Sequence, residues 1–129
     1  MYRLELINVE SIKETEEHIP DRVIWLTELI KKEKIWRVPI LLDKTTYAIM
    51  DGHHRYNVAK NLGLKRIPAI LLSYDSQNVI VTSWRDDIFI DKDVVLEYIN
   101  RGAIFPNKTT RHIIKPLPKE IEIPISFLY

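Results

Sequence analysis

The chain has 129 residues, of which 46% are apolar and 29% charged, with only 3 Gly and 7 Pro. Folding at this length hides roughly two-thirds of the unfolded surface, enough for one core and too little for two ordinary domains, and the composition excludes a disordered or membrane-spanning chain. With 19 Lys and Arg against 18 Asp and Glu, the net charge of +1 supplies no whole-molecule field for a polyanion such as DNA, and the absence of Cys removes disulfides, thiolate nucleophiles, iron–sulfur clusters and Cys-type zinc sites.

The opening residues Met1 to Leu6 show no apolar stretch behind a basic head, so the expectation is a cytoplasmic protein without a secretory leader. Abundant Ile, Lys and Glu with little Asn or Gln hint at a thermophilic source. Leu4 and Leu6 alternate with Arg3 and Glu5, the period of a half-buried strand. Pro20 suits a first helical turn, and Val23, Leu26, Leu29 and Ile30 recur at helical spacing, which predicts a helix from Pro20 to about Lys34. Pro39 to Leu42, a turn at Asp43 to Thr46, and Tyr47 to Met50 read as a hairpin whose arms are apolar throughout and therefore buried.

From His53 to Leu62 the pattern turns helical and closes at Gly63. Arg66 to Leu72 and Val79 to Thr82 are strand-like, joined by Ser73 to Asn78 as a second hairpin or a loop. Val94, Val95, Tyr98 and Ile99 give another amphipathic helix ended by Gly102. Pro106, Pro116, Pro118 and Pro124 exclude a long helix in the tail and predict extended segments over the body. The expected whole is a single α+β domain over residues 1–129.

Asp51-Gly52-His53-His54-Arg55 falls at the strand-to-helix turn. A helix N-terminus offers unpaired N–H groups and a positive dipole end, Gly52 permits close backbone approach, and two His and an Arg add donors for phosphate oxygens. The competing reading leaves both His on the surface and pairs Arg55 with a carboxylate. Lys108-Thr109-Thr110-Arg111-His112 after Pro106 is a second anion-friendly run, weak alone, and the sharper hypothesis has both runs converge on one polyphosphate. Glu16 and Glu17 precede the first helix, as dipole complements or as a general base. Trp84, at a strand end, is packing or a pocket wall. The four His lack metal-site spacing.

These same residues, Asp51-Gly52-His53-His54-Arg55-Tyr56, Thr82-Ser83-Trp84 and Lys108-Thr109-Thr110-Arg111-His112, resemble the ParB/sulfiredoxin-like superfamily, and within it the archaeal and bacterial free L-serine kinases. The resemblance runs from about Glu16 to Pro118 and implies a small mixed β-sheet with flanking helices. It also implies transfer of a phosphoryl group from a nucleotide, ATP ahead of ADP, to the hydroxyl of free L-serine with Mg²⁺. The product is O-phospho-L-serine, which the family feeds to cysteine synthesis. In that account Glu16 deprotonates serine, with Glu17 as the open neighbour, and Trp84 lies beside the substrate. Gly52, His53, His54 and Arg55 with Thr109, Thr110, Arg111 and His112 hold phosphates, while Asp51 orients the ion or its waters; other metal ligands stay unassigned. Relatives often carry His where this chain has Thr15, and the span between the Trp84 and Thr109 regions is short.

The sulfiredoxin branch needs a Cys in the equivalent turn, and partition proteins need a further DNA-binding domain for which neither length nor charge leaves room. The expected partners are thus serine and a nucleotide, with no nucleic acid and no membrane. A non-catalytic ParB-like nucleotide-binding regulator is the alternative.

Overall fold

A computed structural model describes residues 2–129. The elements in chain order are β1 (Leu4–Asn8), α1 (Pro20–Glu33), β2 (Ile35–Trp36), β3 (Ile40–Asp43), β4 (Ile49–Asp51), α2 (His53–Leu62), β5 (Arg66–Leu72), β6 (Val79–Ser83), α3 (Lys92–Arg101), β7 (Thr110–Ile114) and β8 (Ile123–Pro124). The central sheet has four strands in the order β1-β5-β3-β4. It is mixed: β3 runs parallel to β5, while β1 and β4 lie antiparallel to their neighbours.

Side chains alternate across a strand, and here both faces are covered. Ile40, Leu42, Ile49, Ile67 and Ala69 join the cluster that contains Val23, Leu26 and Ile30 of α1 and Val58 and Ala59 of α2. Leu41, Met50, Ile70 and Leu72 point the other way, into a cluster with Val79, Val95, Phe105 and Ile114. This two-sided burial is why the β3–β4 hairpin is apolar throughout. The 3.6-residue period of α1 places Val23, Leu26 and Ile30 inward, and Pro20 occupies its first turn.

The structure refines the sequence expectations at three places. On β1 the inward residue is Ile7, whereas Leu4 and Leu6 are exposed, because β1 is an edge strand of the sheet. Ser73 to Asn78 is the loop of the two alternatives, since β6 pairs with β7, Val79 opposite Ile114 through Ser83 opposite Thr110. Thr110, Arg111 and His112 accordingly stand on a strand. The tail does run extended: β8 pairs with β2, and Ile125 and Leu128 are buried in the α1 and α2 cluster.

Candidate functional site

Gly52 sits between β4 and α2 with φ +114, a conformation that L side chains rarely adopt, and a Cβ there would lie 2.5 Å from Cγ2 of Ile40. The chain can therefore turn tightly off the sheet only with Gly at this position. The first intrahelical bond of α2 is Tyr56 N–H to Gly52 C=O at 2.9 Å, and no side chain caps the helix. Its first-turn N–H groups open onto a cleft of about 290 Å³ lined by Glu16, Asp51, His54, Arg55 and Trp84 among others. Asp51 is exposed at the cleft, and the water it loses to the surrounding wall raises its carboxyl above the usual carboxylate range, opposed by the Gly52 N–H and the Arg55 charge. Burial draws the Arg55 guanidinium down from its ordinary value, against the effect of Asp51.

The two His of α2 line the same cleft, and each turns its Nε2 to the 15–19 segment. His53 is buried, and its Nε2 accepts from the Thr15 N–H at 3.2 Å and lies 3.0 Å from Thr15 Oγ1, which itself donates to Ile49 C=O at 2.8 Å. Burial first, then the neighbouring His112, His54 and His18, push its pKa down to about 3, so the ring is neutral with its proton on Nδ1. Nε2 of His54 accepts from the Ile19 N–H at 3.1 Å, and burial and then the Arg22 charge lower its proton affinity. The His pair thus grips both ends of the 15–19 segment. On the other side Phe105 N–H donates to Thr15 C=O and Glu17 N–H donates to Phe105 C=O, both at 2.8 Å.

Glu16 is held in the middle of this clamp. Its Oε1 accepts from the N–H groups of Thr109 at 3.2 Å and Thr110 at 2.8 Å and from Thr110 Oγ1 at 2.9 Å; Oε2 accepts only from Lys108 N–H at 3.2 Å. Successive amides turned toward one point make an anion nest, and the chain's own carboxylate occupies it. Lys108 reaches this arrangement with φ 52. Glu17, by contrast, is exposed and makes no such bonds.

The second run therefore divides. Thr110 faces Glu16. Arg111 stacks on Trp84, its Cζ 4.4 Å from the ring centroid. Thr109 is fully buried and donates its hydroxyl to Pro106 C=O at 2.7 Å. His112 turns into the second cluster, with Nε2 2.9 Å from the Tyr74 hydroxyl and Nδ1 buried without a partner; burial pushes its pKa down to about 4. Of the two anion-friendly runs, the first thus presents a helix end with Arg55 to the cleft, and the second turns its 108–110 amides to Glu16. Trp84 N–H donates to Thr109 C=O at 3.1 Å, which ties its backbone to the peptide that also serves Glu16. Arg22 and Trp25 of α1 also line the cleft and escaped the sequence reading. The available signal was an aromatic residue lying off the Val23, Leu26, Ile30 stripe.

Residues 3–87 match the ParB N-terminal domain family. The chain belongs to that family. It is 35% identical over 105 residues to an ATP-dependent L-serine kinase of Staphylothermus marinus, an alignment covering 77% of this chain and 41% of the relative. It is 30% identical over 102 residues to the ADP-dependent L-serine kinase SerK of Thermococcus kodakarensis, covering 76% and 42%. The chain thus spans about two-fifths of the length of these curated relatives. The fold is that of a free serine kinase solved in complex with AMP, with a TM-score of 0.87 at 19% identity over 99% of this chain and 93% of that one.

Proposed function

We propose that this chain carries a nucleotide-dependent kinase site that phosphorylates the hydroxyl of free L-serine, with ATP as donor. The observation that carries the reading is Glu16, a carboxylate clamped at the wall of a cleft that also receives the uncapped N-terminus of α2. Similarity to kinases named for L-serine supplies the substrate class, and the ATP-dependent relative favours ATP.

Phosphoryl transfer asks for in-line positioning and for neutralisation of charge on the equatorial oxygens. The first-turn amides of α2 and the Arg55 guanidinium would hold the phosphates. His53 contributes its backbone N–H there, while its ring, like that of His54, positions the segment bearing Glu16. Glu16 would take the serine proton as the hydroxyl oxygen bonds to the terminal phosphorus and the bond to the leaving nucleoside diphosphate breaks. Oε1 already receives three donors, which leaves Oε2, with its single long bond from Lys108, as the oxygen for that proton. Trp84, its ring backed by Arg111, would wall the serine pocket. Among the described residues no group of three or more His, Asp or Glu is arranged to hold a metal. Mg²⁺ typically uses one or two carboxylates plus substrate phosphates, a donor set that Asp51 beside the helix end fits, and it would neutralise phosphate charge.

The test is incubation with L-serine, Mg²⁺ and either ATP or ADP, scoring O-phosphoserine by mass. Product with ATP supports the proposal. Nucleotide binding without product from either donor would turn the site into that of a regulator.

A further inference from the structure

Trp25 is 65% exposed on α1, off the inward stripe of Val23, Leu26 and Ile30 and next to Ile24, which is exposed as well. Of the three Trp, Trp36 is fully buried and Trp84 has a ring face covered by Arg111. Among the described residues Trp25 has neither a stacking nor a cation–π partner. It nonetheless lines the same cleft as Arg55 and His54, next to the apolar floor of Leu26 and Met50. Arg22, three residues earlier on α1, lies in that cleft too, and its charge lowers the proton affinity of both His54 and Arg55. The Arg22 guanidinium is therefore close to the helix end assigned to phosphate. Residues three apart on a helix stand roughly 5–6 Å apart at their Cβ atoms, the scale of the ribose that separates a phosphate from its base.

We propose that Trp25 is the base platform of the nucleotide site, stacking the donor's purine, with Arg22 beside the phosphates. The assignment rests on the nucleotide reading above and adds what part of the ligand the α1 side of the cleft recognises. The Glu16 side of the cleft is already bounded by Trp84 through the Thr109 peptide, which leaves Trp25, on the α1 side, for another part of the ligands. A purine would cover apolar indole surface that now faces water, and such stacking is tolerant of base identity.

Calorimetry with ATP and with inorganic tripolyphosphate, both with Mg²⁺, separates base from phosphate recognition. Stacking worth about 1–3 kcal/mol per base corresponds to roughly a 5- to 150-fold change in affinity. Trp25→Ala should lose ATP affinity by that factor and keep its tripolyphosphate affinity, and Trp25→Phe should retain most of the ATP affinity. Unchanged ATP affinity in Trp25→Ala, or equal loss for both ligands, would overturn the platform while leaving the phosphate site standing. Failure of the native chain to bind either ligand would overturn the nucleotide reading itself and this assignment with it.

Discussion

Thr110 donates to Oε1 of Glu16 twice, from its backbone N–H at 2.8 Å and from its hydroxyl at 2.9 Å, across 94 positions of sequence. This double bond set joins the first strand-free segment of the chain to the start of β7. It fixes Oε1 and, on the proposed mechanism, leaves Oε2 for the substrate proton. Hydrogen bonds to a charged group contribute about 1.5–3 kcal/mol, which makes the hydroxyl a positioning group of measurable weight.

Thr110→Val should therefore lower kcat by roughly 10- to 150-fold, with KM for nucleotide unchanged, while Thr110→Ser restores most of the rate. Steady-state kinetics on the two variants check this. An equally slow Ser variant would point to packing of the Thr methyl instead.

If Arg55 holds phosphate as proposed, Arg55→Ala should weaken nucleotide binding by roughly 10- to 150-fold, the equivalent of about 1.5–3 kcal/mol. Calorimetry reads the change directly, and unaltered affinity would count against the helix-end cradle.

Gly52→Ala tests the turn. The added Cβ meets the Ile40 side chain at 2.5 Å, on a central strand that cannot yield cheaply, and φ +114 adds backbone strain. Overpacking of this kind costs about 1–3 kcal/mol, so the urea midpoint should fall with the slope unchanged.

The buried His make the fold acid-sensitive. His53 and His112 have pKa values of about 3 and about 4 when folded, against an ordinary value of 6.5, so between those limits the unfolded chain binds protons that the folded chain excludes. Stability is complete above pH 6.5 and declines as pH falls toward 4 and 3, by up to about 1.4 kcal/mol per pH unit for each group. Urea unfolding at pH 7 and pH 5 should show this, with a shallower loss in His112→Gln. Equal losses in both proteins would exclude His112 as a contributor.

Much of the scaffold was legible in sequence. Pro20 marks the start of α1, Gly63 the end of α2, and the unbroken apolar arms of the hairpin foretell a sheet covered on both faces. Local signals cannot say which strand pairs with which, so β6 found β7 rather than its sequence neighbour β5. At the site, the strand-to-helix turn with Gly52 and Arg55 is legible in the residues themselves, while the family resemblance joins Glu16 and Trp84 to it, and the structure brings all four to one cleft. Spacing did not reveal where the imidazoles turn, because His53 and His112 take partners 38 residues away in Thr15 and Tyr74. The filling of the 108–110 nest by Glu16 likewise depends on a contact across more than 90 positions.

The central claim is that Glu16 is the base of a phosphoryl transfer and not a structural plug of the nest. In Glu16→Gln the amide oxygen can still accept from Thr109 and Thr110, so the clamp survives while the proton acceptor is lost. General-base action is worth about 10²–10⁴-fold. O-phosphoserine formation from ATP and L-serine should slow by that factor in Glu16→Gln, with nucleotide affinity by calorimetry unchanged. Normal turnover with lost nucleotide affinity would contradict the account.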